Sequence, residues 1–128
     1  NPDRVRLAGS KSLAACREDA LRVMAVLARH GQEEETSVMA AFLAGCAALE
    51  FDDGATLPDT DDWAAALDSA LPVLDRLKPS EKARLVDALA AVVLHDGSML
   101  PIELELLRVT CDLIHVPLPL LVSVQQET

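Results

Sequence analysis

The sequence has few aromatic residues and few glycines: two Phe, one Trp and no Tyr, with five Gly, among 128 residues. Sheets are built largely from aromatic and β-branched residues, and all-β domains need many turns. Leu and Ala, which favour helix, instead supply 22 and 20 residues. The composition therefore predicts an all-α, single-domain helical bundle, and the length suits one compact domain.

Long uncharged stretches are also missing. The longest, residues 36–49 and 113–126, are shorter than the about 20 apolar residues that a membrane-spanning helix needs. No signal or transit peptide is recognisable, and the chain begins with Asn1 rather than Met. We therefore expect a fragment of a longer protein that carries no transmembrane segment of its own.

The common signatures of catalysis are absent from the sequence. It contains no CxxC, no HExxH, no GxSxG and no Gly-rich phosphate loop. The three cysteines, Cys16, Cys46 and Cys111, are far apart and suit buried positions in a reducing compartment. The three histidines stand in separate segments beside turn residues, which is typical of helix ends. We predict no catalytic residue and no cofactor in this chain.

The net charge of −10 disfavours binding to nucleic acid, whose phosphates would repel the chain. The charge is unevenly spread. Residues 1–30 hold six basic and three acidic side chains, and the rest hold five basic and eighteen acidic ones. We interpret residues 1–11 as a basic lead-in from an upstream membrane or peptidase region, and residues 12–124 as the helical domain.

Apolar spacing predicts five to six helices. The first is expected from Ser12 to about residue 29, the second over 34–49, the fourth from residues 78–80 to 95–97, and the fifth from Pro101 to before Pro117. Predicted inward stripes include Leu85 and Leu89 on the fourth helix. On the fifth helix they are Ile102, Leu106, Val109 and Leu113.

The third helix is expected to begin at a cap on Asp59 or Thr60, with Trp63 as a core anchor and a break or kink near Ala70 caused by Pro72. The acidic connector before it, residues 50–62, fails as a calcium loop. Its register would put Leu49 and Phe51 at ligand positions.

One turn combines residues with possible chemistry. Between the fourth and fifth helices, residues 96–103 read D-G-S-M-L-P-I-E. Asp96 can close the turn, Gly97 can adopt a positive φ, and Glu103 favours the dipole of the following helix.

The DG…E turn between two amphipathic helices resembles the signature of the TerB-like (tellurite-resistance-type) helical domains. Residues 85–97, 103–108 and 111–121, with 26–31 and 40–45 upstream, resemble the tail of certain bacterial HtpX-like membrane zinc metallopeptidases. The similarity covers roughly residues 12–121, and its sharpest part is the DG…E…PLP stretch.

The resemblance implies a TerB-like bundle attached to a membrane-embedded peptidase whose HExxH motif binds zinc. It places the chain on the cytoplasmic side of a bacterial inner membrane, with the peptidase domain or another protein as partner. Because HExxH is absent here, zinc is expected only in the parent. In the TerB-like family the acidic residues of the turn have been proposed to bind metal, which corresponds to Asp96 and Glu103.

Three functions stay open at the level of sequence. The first is a non-catalytic accessory or regulatory domain of a membrane zinc metallopeptidase. The second is a free-standing TerB-like stress domain that binds a metal ion or a protein. The third, an enzyme with an unrecognised site, is the least favoured because no nucleophile–base pair or His/Cys cluster is evident.

Overall fold

Leu, Ala and Val at helical spacing form five α-helices within the residues that the computed structural model describes, which are 10–51, 57–58, 61–95 and 100–117. This confirms the predicted all-α bundle. The helices are α1 (Arg17–Gly31), α2 (Glu35–Ala48), α3 (Trp63–Leu74), α4 (Pro79–Val93) and α5 (Pro101–Leu113). Outside them, Lys11 forms an isolated backbone bridge with Leu77. None of the five is both long and apolar enough to cross a membrane.

Helix α1 is the centre of the bundle. Its residues 23–28 are buried in succession, so every face of the helix is covered by a neighbour. Gly45 of α2 allows a close approach here. A Cβ at this position would lie 2.6 Å from both Met24 Sδ and Val92 Cγ2. The predicted core positions Leu89 and Leu106 are buried, at 0% and 6% exposure.

The C-terminal end of α1 meets the N-termini of three helices. The rings of His30 and Trp63 touch at the start of α3, and Gly31 lies against Glu103 in the first turn of α5. Helix α2 starts nearby, where Arg29 pairs with Glu35 at 3.5 Å. We call this end of the bundle the Trp63 end.

The opposite end, here the Lys82 end, holds the N-termini of α1 and α4. The backbone amide of Leu13 donates to Glu81 Oε1 at 2.9 Å. Lys82 donates to Asp75, just after α3, and to the carbonyl of Ile114, just after α5. Helices α1 and α4 are therefore parallel, and α2, α3 and α5 run antiparallel to both.

Helices α2 and α5 end in the same way. Glu50 and His115 each adopt a φ of 64°, in the left-handed region. In both cases the amide of the next residue donates to the carbonyl of a buried cysteine, Cys46 or Cys111. This is the Schellman arrangement, which normally uses glycine at the left-handed position.

The starts of two predicted helices need correction. Residues 13–16 form turns, with Ser12 Oγ accepting from Ala15 N–H at 3.3 Å, and α1 begins only at Arg17. The cap of α3 is Asp62, whose carboxylate accepts from Ala65 N–H at 3.2 Å. The candidates Asp59 and Thr60 lie outside the described residues.

Of the predicted break or kink near Ala70, the break is wrong, since α3 continues through Pro72 to Leu74. Pro72 lies in the last turn and is exposed. The carbonyl four residues earlier, at exposed Asp68, loses its helical donor to proline but can bond to water instead.

The buried face of α5 is shifted by one residue from the predicted stripe, and only Leu106 belongs to both. Ile102 and Leu113 are exposed, at 42% and 52%, and Val109 is only half-buried. The buried face of the helix instead carries Glu103, Leu106, Leu107, Thr110 and Cys111. A stripe drawn through apolar residues alone misses this face because its first member is a carboxylate.

Candidate functional site

Glu103 is the one predicted site residue that the structure describes. It is the third residue of α5 and is 2% exposed. Its Oε1 accepts from the backbone amide of Leu100, the N-cap, at 2.8 Å. An N-terminal amide of the helix, which has no partner within the helix, is thus satisfied by the carboxylate, as in one half of a capping box.

The same carboxylate fills a notch at the end of α1. A Cβ on Gly31 would overlap Oε2 and Cδ of Glu103. A side chain at this position would therefore have to displace the buried carboxylate. Helix α1 ends at Gly31, slightly beyond the predicted end at about residue 29, and Gln32 is already extended.

The other members of the predicted turn, Asp96 and Gly97, lie outside the described residues, as do Ser98 and Met99. Their arrangement around Glu103 is not part of the described geometry. The assignment of Asp96 and Glu103 as metal ligands stays a hypothesis. Within the described ranges, no group of three or more His, Cys, Asp or Glu side chains is placed to hold a metal ion.

Trp63 is not the core anchor that the sequence predicted, because it is 41% exposed. Its ring meets His30 edge to face, with the centroids 4.9 Å apart. The Nδ1 of His30 lies 2.9 Å from the carbonyl of Val26, one turn back along α1. A neutral His30 would carry its proton on Nδ1 to make this bond, which leaves Nε2 as the acceptor.

The Trp63 end collects exposed apolar side chains. Leu100 and Ile102, at 46% and 42% exposure, come just before the buried Glu103, which itself touches the residue after His30. With Trp63 they make three of the five exposed large apolar residues in the described chain. The other two, Leu43 and Leu113, lie elsewhere on α2 and α5. Sequence analysis missed this surface because it assigned Trp63 and Ile102 to the core.

A polar cluster formed by Lys82, Asp75 and His115 lies at the Lys82 end. The ammonium of Lys82 is nearly buried and donates to Asp75 Oδ1 and to the Ile114 carbonyl, both at 2.8 Å. His115 Nδ1 lies 2.9 Å from the same Asp75 oxygen. Burial alone would raise the pKa of Asp75, but the hydrogen bonds and charges of Lys82 and His115 lower it below its ordinary value.

Because every member of this cluster joins the end of one helix to another, its evident role is to hold α3, α4 and α5 together. The sequence contained a usable signal. Lys82 stands three, four and seven residues before Leu85, Val86 and Leu89, so it lies on the buried stripe of α4.

Glu81 ties the segment before α1 to the start of α4. Its Oε1 accepts from the Leu13 amide and its Oε2 pairs with Arg84 at 3.2 Å. The bond from the Leu13 amide is the main reason that the pKa of Glu81 is lowered, and Arg84 adds to it. All three cysteines are buried, and burial raises the pKa of each thiol.

No protein-family model, no curated protein and no solved structure matches this chain. The likeness to TerB-like domains and to the tail of HtpX-like peptidases therefore remains an inference from the residues quoted above.

Proposed function

We propose that this chain is a non-catalytic accessory domain of a membrane-embedded zinc metallopeptidase, and that it acts by binding protein. The observation that carries the binding role is the surface at the Trp63 end, where Trp63, Leu100 and Ile102 remain exposed near the close contact of Gly31 with Glu103. Several large apolar side chains left exposed at one end of a bundle suit an interaction site.

The peptidase parent is supported by the ordered resemblance over residues 12–121 and by the basic lead-in at residues 1–11. In this proposal the domain lies on the cytoplasmic side of a bacterial inner membrane, where it packs on the peptidase, gates access of substrates or recruits a partner. Cleavage and zinc belong to the parent, whose HExxH is not part of this chain.

Reading the coding sequence upstream of Asn1 tests the parent directly. We expect several apolar spans of about 20 residues and an HExxH motif on one of the helices. An upstream region with neither, or a start codon immediately before Asn1, would contradict the proposal.

Assays on the purified chain test the non-catalytic part. A catalytic zinc needs about three protein ligands with a further position open to water. We expect no zinc by elemental analysis after dialysis and no cleavage of casein. Stoichiometric zinc together with chelator-sensitive cleavage would contradict it.

A free-standing TerB-like domain that binds a metal ion is the second candidate. The observation that favours it is a buried carboxylate, Glu103, which follows Asp96 in the sequence. The two candidates differ in what Glu103 does, and melting wild type and Glu103→Gln with and without calcium separates them.

A further inference from the structure

The Trp63 end combines exposed apolar side chains with negative charge. Glu33 and Glu34 are exposed in the connection from α1 to α2, and Asp61 and Asp62 are exposed immediately before Trp63. In the described stretches 28–36, 61–66 and 100–105, the one Arg or Lys is Arg29, and it pairs with Glu35.

Part of this charge serves the helices themselves. Three helix N-termini meet at the Trp63 end, and carboxylates there are favoured by the helix dipoles. Asp62 caps α3, and Glu103 bonds to the N-cap amide of α5. The N-cap position of α2, at Glu34, has no side-chain cap. Asp62 and Glu103 thus bond to the helix ends directly, whereas the carboxylates of Glu33 and Glu34, which the dipole of α2 also favours, stay exposed to whatever approaches this surface.

We infer that the Trp63 end is a docking surface for a basic amphipathic segment of a protein partner, one that carries apolar residues beside Lys or Arg. Trp63, Leu100 and Ile102 would cover the apolar side of such a segment, and the carboxylates of Glu33 and Glu34 would attract its cations. Aromatic side chains are frequent anchors at interfaces, and complementary charge selects the partner.

The charge argues against two other occupants. A second copy of the chain, at net charge −10, would bring the same acidic surface against this one. An anionic membrane would repel the same carboxylates. The inference shares with the proposed function only the premise that the domain binds protein, and it does not depend on a peptidase parent.

Trp63 provides the readout because it is the sole Trp of the chain. The full chain is titrated with a short helical peptide made of Leu and Lys, and in parallel with the matched peptide of Leu and Glu. We expect a saturable blue shift of the Trp63 emission with the Lys peptide, weakened by salt, and no shift with the Glu peptide.

Variants locate the binding. Ile102→Ser and Leu100→Ser should each weaken binding of the Lys peptide by about tenfold. Leu113→Ser, at an equally exposed site near the other end of α5, is the matched control and should leave binding unchanged. Glu33→Gln/Glu34→Gln should weaken it severalfold. Asp68→Asn/Asp87→Asn, which removes two exposed carboxylates on α3 and α4, should have a smaller effect.

Four outcomes would overturn the inference: no binding of the Lys peptide, equal binding of both peptides, equal losses in Ile102→Ser and Leu113→Ser, or tighter binding to anionic phospholipid vesicles than to the peptide. None of them bears on the upstream coding sequence. A failed docking surface and a failed peptidase parent are therefore distinguished.

Discussion

The carboxylate of Glu103 occupies the space that a side chain on Gly31 would need. One contact thus joins the last residue of α1 to the first turn of α5, while the other carboxylate oxygen holds the Leu100 amide. The gap between α1 and α5 is therefore filled by a carboxylate rather than by an apolar side chain. That carboxylate accepts its hydrogen bond from the first residues of α5.

Gly31→Ala should therefore destabilise the protein. Within a helix this change usually stabilises by about 0.5–1 kcal/mol, but here the new methyl group must displace Glu103, and overpacking of this kind costs about 1–3 kcal/mol. Urea unfolding measures the difference. In a Glu103→Ala background the same substitution should become neutral or stabilising. An equal loss in both backgrounds would contradict the contact.

The two ends of the α5 stripe provide a second prediction. Leu106→Ala should lower the free energy of unfolding by about 2–5 kcal/mol, because Leu106 is buried. Leu113→Ala should change it by less than about 0.5 kcal/mol, because half of that side chain is already in water. Equal losses in the two variants would mean that α5 buries the stripe predicted from apolar spacing, which contains Leu113, rather than the face that carries Glu103.

Most of the fold could be predicted from the sequence because it depends on runs of Leu, Ala and Val. The stripe on α4, including Leu85 and Leu89, is buried as the spacing indicated. The ends of the helices were harder to place. Four polar residues, 59–62, precede α3, and any of them is a reasonable cap by residue type alone.

The site was only partly predictable. Sequence analysis singled out Glu103 for its place in the first turn of α5, but burial of a carboxylate depends on Gly31, which is distant in sequence and adjacent in space. Trp63 was assigned to the core because a lone Trp usually packs inside. Its ring instead packs edge to face against His30 at the start of α3 and stays 41% exposed.

Acid should weaken the protein through Asp75 and Glu81. Both have a folded-state pKa below the ordinary value, so both ionised carboxylates contribute stability that is complete above the unfolded pKa of about 4. That contribution is lost as the pH falls from about 4 through the folded pKa. The melting temperature should fall in this window.

Glu81→Gln tests the contribution of this carboxylate to the loss of stability at low pH. The amide oxygen of Gln can still accept from the Leu13 amide but does not titrate, so the variant should lose less stability on acidification than wild type. Asp75→Asn should behave likewise, with part of its interaction with Lys82 already lost at neutral pH. If the melting temperatures of both variants fell with pH in parallel with that of wild type, these carboxylates would not contribute to the acid sensitivity.

The cysteines should be inert in the folded protein. Burial, with a smaller contribution from Asp112, raises the pKa of Cys111 to about 11. At pH 8 only about one Cys111 thiol in a thousand would be ionised, compared with about one in four for an ordinary thiol. A chromogenic disulfide reagent should find no rapidly reacting thiol in the native chain and all three in urea. One stoichiometric fast thiol without urea would contradict the burial.

The role of Glu103 is tested most directly by melting the wild-type chain and Glu103→Gln with and without millimolar calcium or magnesium. If Glu103 serves the fold, neither cation raises the wild-type melting temperature, and Glu103→Gln, whose amide oxygen can still accept from Leu100, melts within a few degrees of wild type. A calcium-dependent rise in wild type that Glu103→Gln abolishes would show a metal site at the turn, and would favour the metal-binding TerB-like domain over the accessory domain proposed here.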